Sequence, residues 1–222
     1  MPPTRATPSA SAAPDIPDDG PGSTDQRILA VARRQLFTQG YNALTMDELA
    51  HDLGMSKKTL YRHFPGKDAI VSTVIDEMGS VVRREMEEVL REPRQSFAQK
   101  LRAVIEVVAR RLAQTSPVMW RELRRYAPKI HRKLDELRQK NIPSVFGRLF
   151  RTGIAEGALR PGLDPDFAAQ FWLQAIRGLL HPDTLAVTRL TPRQSLEKAL
   201  ELFTGGLLTP AGRKDYEKIF SL

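Results

Sequence analysis

GYNALTMDELAHDLGMSKKTLYRHFPGKDAI, residues 40–70, sets an apolar stripe, a glycine and a cationic run in quick succession. Met46, Leu49, Ala50 and Leu53 fall at i, i+3, i+4 and i+7, the spacing of one helix face. Thr45 stands where an N-cap belongs, and Gly54 stops the helix after about two turns. Ser56 caps a second short helix, which ends near His63 because Pro65 and Gly66 break it. Two short helices joined by a glycine turn are the layout of a helix-turn-helix. Ala50 is small enough for the pair to cross closely, Gly54 permits the tight turn, and Leu53, Leu60 and Phe64 can hold the unit against a preceding helix. Lys57, Lys58, Thr59 and Tyr61 then face outward, where cations and hydroxyls reach phosphates and the acceptors on guanine. Tyr61 packs its ring and presents its hydroxyl, whereas Phe64 reads as core.

The flanks extend the helical pattern. Thr24 reads as the N-cap of a first helix with Ile28, Val31, Ala32 and Leu36 inward, and Gly40 is placed to end it in a left-handed conformation. A long helix runs from Lys67 to about Leu90, with Ile70, Val74, Met78, Val81 and Val82 on its inner side. Helical spacing then covers 95–114, 117–126, 128–156, 165–180 and 192–208, divided by Pro93, Pro117, Pro128, GALRPGLDP at 157–165, and Pro182. Strand signals are scarce, so the chain is read as all-α.

Composition narrows the function classes. The 222 residues are 41% hydrophobic and 27% charged, ordinary for a globular protein. There is no cysteine, which excludes disulfides, thiolate metal sites and cysteine nucleophiles. No apolar run approaches the roughly 20 residues that cross a bilayer, so no membrane partner is expected. Residues 1–23, MPPTRATPSASAAPDIPDDGPGS, read as a disordered tail, with Arg5 as the one cation against Asp15, Asp18 and Asp19. The net charge is +8, but residues 24–70 hold 7 Lys/Arg against 5 Asp/Glu while residues 83–151 hold 18 against 8. A nucleic-acid reading of the opening stretch therefore rests on spacing rather than on total charge.

Catalytic readings find little support. Glu48 and His51 have the Glu-x-x-His spacing of a helical di-metal site, but such a site needs two copies and only one is present. Neither a phosphate-binding loop nor a nucleophile-elbow or HExxH pattern occurs. No catalytic residue, metal or cofactor is expected, and the chain is not read as an enzyme.

Residues 40–70 resemble, almost position for position, the DNA-binding signature of the TetR family of bacterial transcriptional repressors, and the resemblance is strong over residues 24 to about 75. It implies that Thr45, Ser56, Thr59, Tyr61, His63 and Lys67 touch the DNA backbone and that Lys57 and Lys58 read bases. Lys67 would meet a phosphate at the start of the fourth helix, a place where anion binding is independently reasonable. Two departures from the common pattern are Gly66, where a Ser-like cap is frequent, and Lys58, where a small residue is common. Beyond this stretch the chain resembles the family only in architecture. The implied organisation is a tail at 1–23, a three-helix helix-turn-helix domain at 24–70, and a helical ligand-binding and dimerisation domain at 71–222. The implied function is a homodimeric repressor on a palindromic operator of double-stranded DNA, released by an unidentified small-molecule inducer, in the cytoplasm on the nucleoid. A second reading keeps the fold as a constitutive nucleoid or cell-cycle DNA-binding protein without a small ligand.

Two groups of residues in the C-terminal part are singled out. Phe167, Ala168, Phe171, Trp172, Ala175, Ile176 and Leu179 form one wide apolar face, and Leu196, Ala199, Leu200, Phe203 and Leu207 form another. Part of each is intrachain core; the resemblance implies that the outer parts pair across a two-fold axis, with Phe167, Phe171, Ile176, Leu196, Leu200 and Phe203 as the interface set. Met86, Met119, Trp120, Tyr126, Phe146, Phe150 and Trp172 are the candidates to line an internal pocket, although such residues at helical spacing are more often plain core. The basic run RELRRYAPKIHRKLDELRQK, residues 121–140, reads as a solvated helix face, with an anionic inducer or accessory DNA contact as the sharper alternative.

Overall fold

Helices begin where a side chain can take up the first free backbone N–H groups, and this chain supplies such a cap at almost every start. The computed structural model describes residues 23–220, so the tail expected at 1–23 lies, Ser23 apart, outside the described residues. The described residues form α1 (Thr24–Gln39), α2 (Met46–Asp52), α3 (Lys57–His63), α4 (Lys67–Arg91), α5 (Phe97–Ala113) and α6 (Pro117–Tyr126). They continue with α7 (Pro128–Ala155), α8 (Pro165–Leu179), α9 (Pro182–Thr188), α10 (Pro192–Gly205) and α11 (Pro210–Phe220). One isolated β-bridge joins Leu159 to Leu208. The chain is all-α, as its spacing indicates.

Ser23, not Thr24, caps α1, its hydroxyl accepting the Gln26 N–H at 3.4 Å. Ser96 and Thr191 form reciprocal capping boxes with Gln99 and Gln194. From α6 onward each helix opens on a proline, whose missing N–H costs nothing in the first turn. That habit explains α9 and α11, two short helices outside the segments where apolar spacing was evident: a proline start and local capping suffice to set them.

Two apolar cores divide the molecule. The first gathers Ile28 and Leu36 of α1, Leu49 of α2, Leu60 of α3 and Ile70 and Val74 of α4. Met119 and Leu123 of α6 and Ile130 and Leu134 of α7 complete it, so the N-terminal helices are packed directly onto the C-terminal ones. The second core holds Met86 of α4, Phe97 and Leu101 of α5, Phe146 and Phe150 of α7, Trp172 of α8 and Leu196 and Leu200 of α10. Both α4 and α7 run through the two cores, α4 spanning about 38 Å at the usual helical rise. Residue 70, the expected end of the DNA-binding unit, lies inside α4.

Three of the expected interface residues belong elsewhere. Ile176, Leu196 and Leu200 are buried in the chain's own second core and are not available to a partner. Phe203 is partly buried, its ring 5.0 Å from Trp172 and 5.7 Å from Phe150. Phe167 and Phe171 do stand outside, 69% and 55% exposed, and Leu202 of α10 is 82% exposed. Phe171 stacks on Phe203 at 5.8 Å, which joins the exposed part of this face to the aromatic cluster beneath.

Candidate nucleic-acid interface

The helix-turn-helix is assembled by local hydrogen bonds at the positions the sequence marks. Thr45 Oγ1 accepts the Glu48 N–H at 3.1 Å, and Ser56 Oγ accepts the Thr59 N–H at 3.0 Å. Gly54 takes a φ of 64° in the turn between α2 and α3. Leu60 points into the first core while Ser56, Lys57, Lys58, Tyr61 and His63 are exposed on α3 and Thr59 is half-buried. Tyr61 is 51% exposed, so the ring is only half packed and the hydroxyl is free to reach outward.

The expected contact residues are held by acidic neighbours that pattern reading does not reveal. Lys57 Nζ lies 2.5 Å from Asp47 Oδ1 on α2, an exposed pair of the kind worth about 0–1 kcal/mol. Exchange of that carboxylate for a phosphate or a base edge is therefore cheap. His63 Nδ1 is 2.7 Å from Asp25 Oδ1 at the start of α1. Ser56 and Thr59 share a hydroxyl contact of 2.9 Å. Thr45, at the start of α2, is half-buried.

Lys67 sits at the N-terminus of α4, its ammonium 4.0 Å over the Tyr41 ring and donating to the Tyr41 carbonyl at 3.3 Å. Tyr41 in turn donates its hydroxyl to Asp68, and burial together with that carboxylate pushes the phenol above its ordinary range. The arrangement pins Lys67 beside the first N–H groups of α4, where an anion is favoured. Tyr41 was missed from the sequence because its role depends on a contact 26 residues away. Arg62 was missed too: two residues after inward Leu60 and four after Lys58, it shares the outer face of α3 with Lys58 and is exposed.

The same unit is gripped from behind by the helical domain. Ser116 N donates to the Phe37 carbonyl at 2.8 Å and Asn42 N donates to Glu122 Oε2 at 2.9 Å, tying α6 to the end of α1 and to the α1–α2 turn. Lys133 of α7 donates to Ser72 Oγ at 2.8 Å and pairs with Asp76, both on α4. Arg33 of α1 pairs with Glu77 of α4. These links connect α6 and α7 to the helices that hold α3 in place.

The seven pocket candidates do not surround one cavity. Met119 and partly buried Trp120 lie in the first core; Met86, Phe146, Phe150 and Trp172 fill the second. Tyr126 is 50% exposed, so it lies at the surface rather than inside, bordering a hollow of about 240 Å³ with Asn42, Arg121 and Glu122. A larger cleft of about 450 Å³ lies among α5, α10 and α11, between Arg102, Ile105, Arg193, Leu200, Tyr216 and Phe220, and none of the seven lines it. Among the described residues no cluster of three or more potential metal ligands occurs, and no helix is long and apolar enough to cross a membrane.

Comparison with known proteins agrees with this geometry. Residues 28–74 match the model of the bacterial regulatory proteins of the tetR family. The transcriptional repressor KstR2 of Mycolicibacterium smegmatis is 25% identical over 162 residues, 72% of this chain and 78% of its own length. The nucleoid occlusion factor SlmA of Photobacterium profundum is 24% identical over 190 residues, 82% of this chain and 94% of its own. In fold, the crystal structure of a TetR-family transcriptional regulator from Marinobacter aquaeolei VT8 is similar with a TM-score of 0.68, at 18% identity over 90% of this chain and 97% of that one. With a helix-turn-helix whose caps, turn and exposed cations stand where the match falls, residues 28–74 form a DNA-binding unit of the kind found in the tetR family of bacterial regulatory proteins.

Proposed function

We propose that this regulator works as a homodimeric repressor, placing one α3 in each half of a palindromic operator and letting go when a small molecule binds its helical domain. The observation that carries the reading is the outer face of α3, where Lys57, Lys58, Tyr61 and Arg62 stand exposed above a buried Leu60. Thr45, Ser56, Thr59, His63 and Lys67 ring that face as backbone contacts, and Lys57 and Lys58 read base edges. Operator half-sites about 34 to 36 Å apart require two copies in fixed relation. The exposed Phe167, Phe171 and Leu202 on α8 and α10 supply the apolar surface for that pairing. A protein of this kind acts on the nucleoid in the cytoplasm.

Release follows from differential affinity: an inducer lowers operator binding only by favouring a conformation in which the two α3 helices are wrongly spaced. The contacts of α6 with the α1–α2 turn and of α7 with α4 give such a conformation a way to move them. Selection of duplexes from a random pool tests the reading. One motif should be enriched by the natural chain and none by a variant carrying both Lys58→Ala and Tyr61→Ala; equal enrichment by both would remove α3 from the interface. The similarity to the nucleoid occlusion factor SlmA favours a second reading, a constitutive nucleoid protein on the same contacts without an inducer. Occupancy of many chromosomal sites, unchanged by any metabolite extract, would select it.

A further inference from the structure

The basic run at 121–140 is not simply a solvated face. Arg124 of α6 and His131 and Arg138 of α7 converge with Arg177 of α8 and His181, the cap of α9. At the centre is Asp135, its carboxylate 3.5 Å from Arg138 Nη1, 3.6 Å from Arg177 Nη2 and 3.7 Å from His131 Nδ1. A carboxylate can satisfy one guanidinium in a two-pronged bond; this one is divided between two guanidiniums and an imidazole. The only other carboxylate paired with this group among the described residues is Asp183, 3.5 Å from His181 and 79% exposed.

His181 ties Arg124 to this group: with its Nδ1–H directed at the Asp183 carboxylate 3.5 Å away, its Nε2 accepts from Arg124. Burial above all, with Arg138, Arg124 and Arg177 adding to it, holds His131 below the usual imidazole range despite the pull of Asp135. Guanidiniums from α6, α7 and α8 thus act on one imidazole, and two of them share the single carboxylate of Asp135.

We propose that this junction of α6, α7, α8 and α9 binds the oxyanion head of a small effector, a carboxylate or phosphate held by Arg124, Arg138 and Arg177. As an effector site it rests on the regulator reading above and names the chemistry of the inducer. Arg138 lies 4.7 Å over the Trp120 ring, so the site has an aromatic wall beside its charges. Arg124 is two residues from Glu122, which holds the α1–α2 turn through Asn42; an anion that draws Arg124 inward pulls on the helix that positions α2 and α3.

Trp120 is the reporter, since the chain has only two tryptophans and Trp172 is buried in the second core. The indole N–H resonances of the natural full-length chain are followed by nitrogen-15 NMR, with the Trp120 signal assigned by its loss in Trp120→Phe. Sodium phosphate and sodium acetate are titrated separately at constant ionic strength against chloride. A saturable movement of Trp120, with Trp172 still, is expected in the phosphate arm for a phosphate head or in the acetate arm for a carboxylate head. Arg124→Gln and Arg177→Gln should each weaken it about tenfold, the effect of losing about 1.4 kcal/mol. A silent Trp120 in both arms, or a response undiminished in both arginine variants, overturns the proposal. Duplex binding by the same preparations in anion-free buffer separates the two readings. Bound duplex with a silent Trp120 removes the oxyanion site alone, whereas a Trp120 response without duplex binding removes the regulator reading.

Discussion

Glu122 of α6 accepts the backbone N–H of Asn42 at 2.9 Å, closing the α1–α2 turn against the helical domain. Two residues earlier Gly40 holds a φ of 102°, and a β-carbon there would stand 2.6 Å from Glu122 Oε2 and 3.2 Å from Val118 Cγ1. The glycine serves backbone conformation and close approach together, where a side chain would be strained on both counts.

Gly40→Ala should accordingly destabilise the chain by about 1–3 kcal/mol, the usual cost of a strained backbone position. Denaturant unfolding measures it. An unchanged midpoint would mean that the turn relaxes freely and that Glu122 does not fix it.

Lys67 and Lys57 should fail in different ways. Lys67→Ala, removing a phosphate contact beside the start of α4, should weaken binding to all duplexes and reduce the salt slope by about 0.9. Lys57→Ala should relax preference at one operator position, with a discrimination loss of about 1–3 kcal/mol. Competition binding over single-base operator variants checks both, and an unchanged preference in Lys57→Ala would remove Lys57 from the readers.

Phe171→Asp should leave the fold intact and abolish self-association, because Phe171 is 55% exposed on the outer face of α8. Leu196→Ala should instead cost about 2–5 kcal/mol of stability, as deletion from a packed core does. Sedimentation and thermal melting distinguish them. A Phe171→Asp variant that still pairs would place the dimer contact elsewhere.

His131 gives stability an acid limb. Its folded-state pKa lies below the unfolded value of about 6.5, so the unfolded chain takes up the proton first. Stability should therefore fall as pH drops through about 6.5 and level off once the folded imidazole is protonated too. His131→Gln should flatten that limb between pH 7.5 and pH 5 in urea titrations; parallel pH dependences in the two proteins would contradict the assignment.

Much of the helix-turn-helix was legible because its determinants are local. Thr45, Ser56 and Gly54 act within three or four residues of themselves, and each does in the structure what its position indicates. What lay beyond reading were the partners across helices. Nothing near Lys57 in the chain singles out Asp47, and Tyr41 meets Lys67 only after α1 and α4 pack. The apolar faces of α8 and α10 were visible, but not which half each neighbour covers: Ile176 and Leu196 turn in while Phe167 turns out. The seven pocket candidates divide for a related reason: Met119 on α6 packs into the first core and Trp172 on α8 into the second, a division that only the packing of the helices sets.

In the proposed repressor two copies of this chain read one inverted repeat. The mass in solution of the complex formed with the duplex enriched from a random pool tests this. Two, or an even number of, chains are expected on a duplex carrying an inverted repeat, with loss of one half-site abolishing the complex. A single chain bound to an asymmetric site with the same affinity would contradict it.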